Sequence, residues 1–162
     1  MDYLFTPWRF QYISSVRTEK LSTESCLFCD LQRATDDAAM LIVHRGPLCF
    51  VALNKFPYTS GHLMIAPHAH VDELRKLDTE SAAEMMSLAQ HADDVLRKLY
   101  KPDGLNLGMN LGRAAGAGVA GHIHLHALPR WFGDTNFMTA TSETRVLPES
   151  LEQTYERMKK AW

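Results

Sequence analysis

The sequence of 162 residues predicts a single α+β domain with an antiparallel sheet of about five strands, one long helix and a C-terminal helix. Apolar and polar residues alternate over 105–111 and again over 121–131, as they do in strands with one buried face. Over 74–100, apolar residues instead follow the i, i+3, i+4, i+7 spacing of an amphipathic helix. These two periodicities together predict strands and helices packed on one core.

Composition narrows the functional classes. A formal net charge of -2, without a basic patch, argues against a nucleic-acid partner. No apolar run approaches the ~18–20 residues of a membrane span, and the N-terminus lacks a signal-peptide pattern. Three cysteines in a chain without an export signal favour reduced thiols or a metal over a disulfide framework. We therefore expect a cytoplasmic protein with neither a nucleic-acid nor a membrane partner.

The elements follow one another without a break that would mark a second domain. Residues 1–24 begin with aromatic side chains and form either a segment that docks on the domain or a second subunit, or a flexible leader. Cys26-Leu27-Phe28-Cys29 then enters a short helix that ends near Ala34. Four strands are predicted before the histidine-rich one, at 40–44, 49–53, 62–67 and 105–111.

The long helix is expected to be structural. Asp78 or Thr79 can cap it, and Asp93 and Asp94 fall on its solvated face, where a catalytic carboxylate pair is not expected. Its apolar stripe is Met85, Ala89, Ala92, Leu96 and Leu99. Residues 135–162 form a C-terminal extension, irregular at first and helical over 148–160, with Leu151, Tyr155 and Met158 on one stripe.

The functional signal lies in Gly121–Trp131, where His122, His124 and His126 alternate with aliphatic residues. Alternate side chains of a strand share a face, so these three rings are expected in a row at ~7 Å spacing. Partly buried imidazoles need hydrogen-bond partners, because burial without them costs free energy. Three of them on one strand therefore indicate a function and not simple core packing. The pattern fits a metal site, a packed or pH-responsive cluster, or nucleophilic catalysis by one neutral imidazole.

Two further motifs are less specific. Cys26 and Cys29 fit zinc with two more ligands, a structural thiol pair, or a redox pair, whereas Cys49 is expected to be a small core residue. The glycine-rich segment 112–120 could turn backbone N–H groups toward an anion. It matches neither the Walker pattern nor the dinucleotide-binding fingerprint.

His122-Ile123-His124-Leu125-His126-Ala127-Leu128 resembles the signature of the histidine triad (HIT) superfamily of nucleotidyl hydrolases and transferases. Asn54 with Gly61–Pro67 resembles that superfamily's other half-site, and the cysteine pair resembles that of its zinc-bearing members. Other segments resemble the branch that acts on diadenosine polyphosphates, particularly its phosphorylases: Thr6–Arg9, Pro129–Trp131 and Asn136-Phe137.

The resemblance implies a covalent mechanism. His124 would attack the α-phosphorus, and water or inorganic phosphate would resolve the nucleotidyl-histidine intermediate. His126 would contact the phosphate and stabilise its developing charge. The implied substrate is an adenine dinucleotide such as diadenosine tetraphosphate, although nucleoside phosphoramidates and adenylyl sulfate suit the same nucleophile. The resemblance also implies a homodimer.

The resemblance implies roles for the surrounding residues as well. Asn54 would hold the ribose, with His62 nearby in the pocket. The phosphates would be cradled by Asn110 and by the backbone of Gly116, Ala117 and Gly118. Trp131 would stack on a base or support the partner subunit.

Zinc is the implied metal, held by Cys26, Cys29, His70 and His122, a composition usual for structural sites. His68 competes with His70, since both point the same way on a strand. A closed four-ligand site has no open position for catalysis, so the metal would brace His122 and its strand.

The sequence departs from the family pattern at Gly118, where relatives usually carry a glutamine or serine that contacts a phosphate; Gly121 also replaces a residue that is often larger. Loss of a transition-state donor has cost other enzymes on the order of 100-fold or more in rate. Slow turnover or an acceptor other than phosphate is therefore an open alternative. So are a nucleotide-binding module with little catalysis and a zinc-braced interaction protein.

Overall fold

The computed structural model describes residues 26–135 and 147–162, and within them the predicted α+β architecture is confirmed. The strands are β1 (Ile42–Arg45), β2 (Cys49–Leu53), β3 (Leu63–Pro67), β4 (Gly104–Gly108) and β5 (Leu125–Arg130). The α-helices are α1 (Leu27–Arg33), α2 (Thr79–Tyr100) and α3 (Leu151–Ala161), with 3-10 turns at Leu74–Lys76 and Arg113–Ala115. All strand pairs are antiparallel, in the order β1-β2-β3-β5-β4.

The two faces of the sheet carry different cores. On one face, α2 and α3 cover the residues Val51, Leu63 and Ile65. On the other face, Phe28 and Leu31 of α1 pack with a second buried group: Ile42, Phe50, Ala52, Met64 and Ala66. Because side chains alternate along a strand, this division follows directly from the strand pattern.

Capping residues set the helix ends. The Asp78 carboxylate accepts a hydrogen bond from Ser81 N at 2.7 Å, which confirms Asp78 as the cap of α2. Ser150 and Gln153 form a reciprocal capping box, so α3 begins at Leu151 and not at the predicted residue 148. The predicted apolar stripe of α2 lies against the sheet, and its Asp93 and Asp94 pair with basic residues on the exposed side.

The prediction that the last strand starts at Gly121 was wrong, because β5 begins at Leu125. Its neighbour β3 ends at Pro67, a residue without an N–H to continue the ladder. The Pro67 carbonyl instead accepts a hydrogen bond from the ring of His122 at 2.9 Å, and Ile123 N donates to Val71 O at 2.8 Å. The first two histidines therefore precede the strand, in a segment held by one side-chain and one backbone hydrogen bond to the end of β3 and the residues after it.

The fourth strand is also shorter than predicted, ending at Gly108 and not at residue 111. Leu105 and Met109 pack against the core as expected for its apolar face. Leu107 on the same face is 49% exposed, because β4 is the edge strand of the sheet.

The predictions for residues 1–24 and for most of 135–146 fall outside the described part of the chain. In the described part, no helix combines the length and the apolar character needed to cross a membrane.

Candidate functional site

His124 is one of two buried histidines of the triad, with 5% of its surface exposed, and His122 is 1% exposed. Its Nδ1 atom lies 3.0 Å from the backbone oxygen of His122. A carbonyl oxygen only accepts, so Nδ1 carries the proton and donates it, which leaves the lone pair on Nε2. Burial lowers the pKa of His124, so the ring stays neutral near pH 7. A neutral imidazole with a fixed lone pair is suited to nucleophilic attack.

His126 lies at the start of β5, with its ring 4.8 Å from that of His124 and nearly perpendicular to it. Its Nδ1 atom lies 2.9 Å from Nε2 of His62. Burial, with a smaller contribution from His124, lowers the pKa of His126 to about 4. His124 and His126 are therefore both neutral near pH 7.

The loop before β3 supplies the second part of the site. His62 is 1% exposed, and the Asn54 side chain lies beside it, with Nδ2 at 3.3 Å from Nδ1 of His62. The Oδ1 atom of Asn54 accepts a hydrogen bond from Phe56 N at 2.9 Å. The structure thus brings His62 against His126 of the triad and Asn54 against His62.

A cluster of four possible metal ligands adjoins the first triad histidine. One ligand atom from each of Cys26, Cys29, His70 and His122 lies within 4.8 Å of every other. Cys26 Sγ and Cys29 Sγ lie 3.4 and 3.8 Å from His122 Nδ1, and Cys29 Sγ lies 3.3 Å from His70 Nδ1. A tetrahedral zinc with ordinary bond lengths separates sulfur and nitrogen ligands by about 3.5 Å, so this donor set fits the ion.

The structure also distinguishes the two competing histidines. His68 Nε2 lies 2.9 Å from the backbone oxygen of Gly46, and its ring stacks on Phe50. His70 is the one that joins the cysteines. His122 is oriented for this cluster because its Nε2–H donates to Pro67 O, which leaves the Nδ1 lone pair facing the thiols.

Arg45 anchors the helix that carries the two cysteines. Its guanidinium donates to three carbonyl oxygens at the end of α1, those of Leu31, Gln32 and Ala34, at 2.8–3.1 Å. It also pairs with Asp37 at 2.8 Å. The end of α1 is therefore fastened to β1, which holds Cys26 and Cys29 opposite His122.

The glycine-rich segment forms a compact turn before the triad. Gly112 and Gly116 both have positive φ, and the N–H groups of Gly116 and Ala117 donate within the turn to Arg113 O and Gly112 O. Those two donors are thus already used in this conformation. At Gly118 a Cβ would meet nothing within 4 Å, so the position is open.

The remaining predicted residues lie at different distances from the triad. Gly108 pairs with His126, so Asn110 follows just beyond it at the triad end of β4. Trp131 follows the other end of β5, which places it roughly 16 Å along the strand from His126. There its ring meets Tyr100 edge-on at 6.4 Å, away from the histidine cluster.

Two aromatic neighbours of the triad were not predicted from the sequence. Phe28 contacts the rings of His122 and His124, with centroid distances of 5.2 and 4.6 Å. Tyr58 contacts His62 and His126 at 4.7 and 6.2 Å. No sequence signal singled out Phe28, because Leu27 is also an apolar residue between the two cysteines and is 50% exposed.

The known proteins that are similar to this chain belong to one family. The family model of the HIT domain matches residues 36–133 of this chain. A protein of Mycobacterium tuberculosis named AP-4-A phosphorylase is 36% identical over 166 residues, covering 100% of this chain and 85% of that protein. An uncharacterized HIT-like protein of Mycoplasma genitalium is 30% identical over 138 residues, covering 85% of this chain and 94% of its own.

Among solved structures, a zinc-bound histidine triad family protein from Mycobacterium smegmatis is similar, with a TM-score of 0.68 and 28% identity. The match covers 86% of this chain and 94% of that one.

Proposed function

This chain belongs to the HIT domain family, and from that premise we propose that it is a nucleotidyl hydrolase or transferase acting on adenine dinucleotides such as diadenosine tetraphosphate. The observation that carries the proposal is the bond between His124 Nδ1 and His122 O, which leaves a lone pair on His124 Nε2. The similarity to the M. tuberculosis AP-4-A phosphorylase supports the substrate class.

In the proposed reaction, His124 Nε2 attacks the α-phosphorus of the dinucleotide. A P–N bond forms while the P–O bond to the leaving polyphosphate breaks, and the leaving group keeps that electron pair. An acceptor oxygen then attacks the same phosphorus and displaces His124, which regains its lone pair. His126 lies beside His124 and would stabilise the charge on the phosphoryl oxygens, with Asn54, Asn110 and Gly118 around the substrate.

We propose zinc as the metal of the Cys26, Cys29, His70 and His122 cluster, on the strength of its donor set and spacing. With four protein ligands the ion supplies a structural cross-link and no open coordination position. His122 would then join the metal site to the triad strand. Free cysteines are usual in a reducing compartment, which supports a cytoplasmic location.

We propose a homodimer as the assembled form. No described strand pairs with the outer side of β4, and Leu107 and Leu111 near it are 49% and 44% exposed. A second copy of the chain would cover the outer side of β4 and these two leucines. Light scattering checks the mass in solution, and a monomer at micromolar concentration would contradict this part of the proposal.

One observation favours a second candidate, a nucleotide-binding module with little catalysis. Gly118 supplies no side-chain donor at a position where the family resemblance implies one, so transition-state stabilisation would be weaker. Normal nucleotide affinity without turnover on diadenosine tetraphosphate, nucleoside phosphoramidates or adenylyl sulfate would favour this candidate.

Product analysis of diadenosine tetraphosphate with and without inorganic phosphate tests the enzyme proposal. ADP and ATP, formed only with phosphate, would identify a phosphorylase. AMP and ATP without phosphate would identify a hydrolase. Absence of products with all three substrate classes would contradict the enzyme and leave the binding module.

A further inference from the structure

We propose that the loop from Asn54 to Gly61 acts through His62 to fix the tautomer of His126, so that His126 presents a protonated Nε2 atom to the substrate. His62 is then a positioning residue rather than a substrate contact. The tautomer itself can be tested without substrate, whereas its catalytic consequence rests on the proposed function.

The first step is to establish whether His62 Nδ1 carries a proton. Two donors converge on this atom: the backbone N–H of Tyr58 at 3.2 Å and the side-chain amide of Asn54 at 3.3 Å. Exchanging Oδ1 and Nδ2 of Asn54 would lose a hydrogen bond, because Oδ1 accepts the N–H of Phe56 at 2.9 Å. An atom that accepts from both sides carries no proton, so the proton of neutral His62 is on Nε2.

The second step concerns the tautomer of His126 in the triad. His62 Nε2 lies 2.9 Å from His126 Nδ1, so His62 donates and His126 accepts. The proton of neutral His126 must then be on its own Nε2. His62 is 1% exposed, so water does not compete for this hydrogen bond.

The third step is the contrast with the neighbouring ring. His124 donates from Nδ1 to His122 O and therefore has its lone pair on Nε2. Adjacent rings 4.8 Å apart thus have opposite tautomers, one with a nucleophilic nitrogen and one with a donor. That combination is what an attack on phosphorus beside a developing negative charge needs. Burial, which lowers the pKa of His126 to about 4, preserves the neutral ring near pH 7.

Nitrogen-15 NMR of the histidine rings in the full chain tests the proposal. At pH 7.5, we expect His126 with a protonated Nε2 and an unprotonated Nδ1. In His62→Phe, which has a ring but no donor, both tautomers of His126 should be populated. In His62→Gln, whose amide can donate, the wild-type pattern should largely return. His91→Gln, at an exposed histidine on α2, is the matched control and should leave the His126 signals unchanged.

Kinetics on diadenosine tetraphosphate provide the second readout. We expect kcat of His62→Phe to fall about 100-fold with KM changed by less than about 3-fold, and His62→Gln to recover at least about 10-fold of that loss. If His62→Phe does not fold, Asn54→Asp tests the same step. A carboxylate beside His62 Nδ1 favours a proton on that atom, so His62 Nε2 would accept and His126 would carry its proton on Nδ1.

Wild-type His126 protonated on Nδ1 would overturn the proposal, as would a His126 tautomer unaffected by His62→Phe or Asn54→Asp. The expected tautomers in a protein that cleaves no dinucleotide would support the positioning step and contradict the proposed function instead.

Discussion

The ring of Phe28 packs against the ring of His124 with their centroids 4.6 Å apart. Phe28 lies between the two cysteines of the metal-ligand cluster and also contacts His122 at 5.2 Å. One apolar side chain thus joins the cluster to the proposed nucleophile. Phe28 is 1% exposed, so this shared side chain belongs to the buried core on that face of the sheet.

His124→Asn should lower turnover of the dinucleotide by more than about 1000-fold, because the variant has no nucleophilic imidazole. Nucleotide binding should remain, as measured by calorimetry with a nonhydrolysable analogue. His91→Asn, at an exposed position, is the control for a histidine exchange. Wild-type turnover in His124→Asn would contradict the mechanism.

Phe28→Leu should lower stability by about 1–2 kcal/mol and also lower kcat, since the smaller side chain no longer holds His124. Urea denaturation and steady-state kinetics give the two values. The neighbouring Leu27→Ala is the control, because Leu27 is 50% exposed on the same helix. Equal kinetic effects of the two exchanges would argue against a specific role of the Phe28 contact.

Cys29→Ser should remove the metal and lower the melting temperature, because a structural ion stabilises only the folded chain. Elemental analysis should find one zinc per wild-type chain. Cys49→Ala should retain that zinc, since Cys49 is a buried core residue away from the cluster. A purified wild-type protein free of metal, with a melting temperature insensitive to chelator, would exclude structural zinc.

Arg45→Met should destabilise the fold by about 2–4 kcal/mol, because three carbonyl groups at the end of α1 lose a charged donor. It should also weaken zinc binding in a competition assay, since α1 carries both cysteines. Arg33→Met is the matched control on the same helix: its side chain is 78% exposed and its pair with Asp30 spans 3.7 Å. Unchanged zinc affinity in Arg45→Met would show that α1 needs no such anchor.

Stability should fall as the pH is lowered from about 6.5 toward 4. Burial lowers the pKa of His126 from 6.5 to about 4, so in this window the unfolded chain binds a proton that the folded chain does not. The pKa values of His44 and His124 are lowered in the same direction, also by burial. Thermal melts across this range check the slope, which should be smaller in His126→Gln. A slope of opposite sign would contradict the neutral triad.

Much of the fold was predictable from local pattern. Short apolar runs next to turn residues located β2 and β3, and the helical stripe located α2 with Asp78 as its cap, because each depends on neighbouring residues alone. The choice between His68 and His70 was not predictable. Both follow β3 with the same parity, and the bonds from His68 to Leu48 O and Gly46 O, which turn it away, depend on distant residues. The Phe28 contact was hidden for the same reason, since an apolar side chain does not specify its partner.

The metal-ligand cluster joins Cys26 to His122 across 96 residues. During synthesis the two cysteines leave the ribosome first, and their second histidine partner emerges only after β1 to β4 have been made. Contacts between such distant residues form late, since closing a long loop costs entropy before it returns any stabilisation. The proposed zinc site would therefore be completed only after most of the chain has been synthesised.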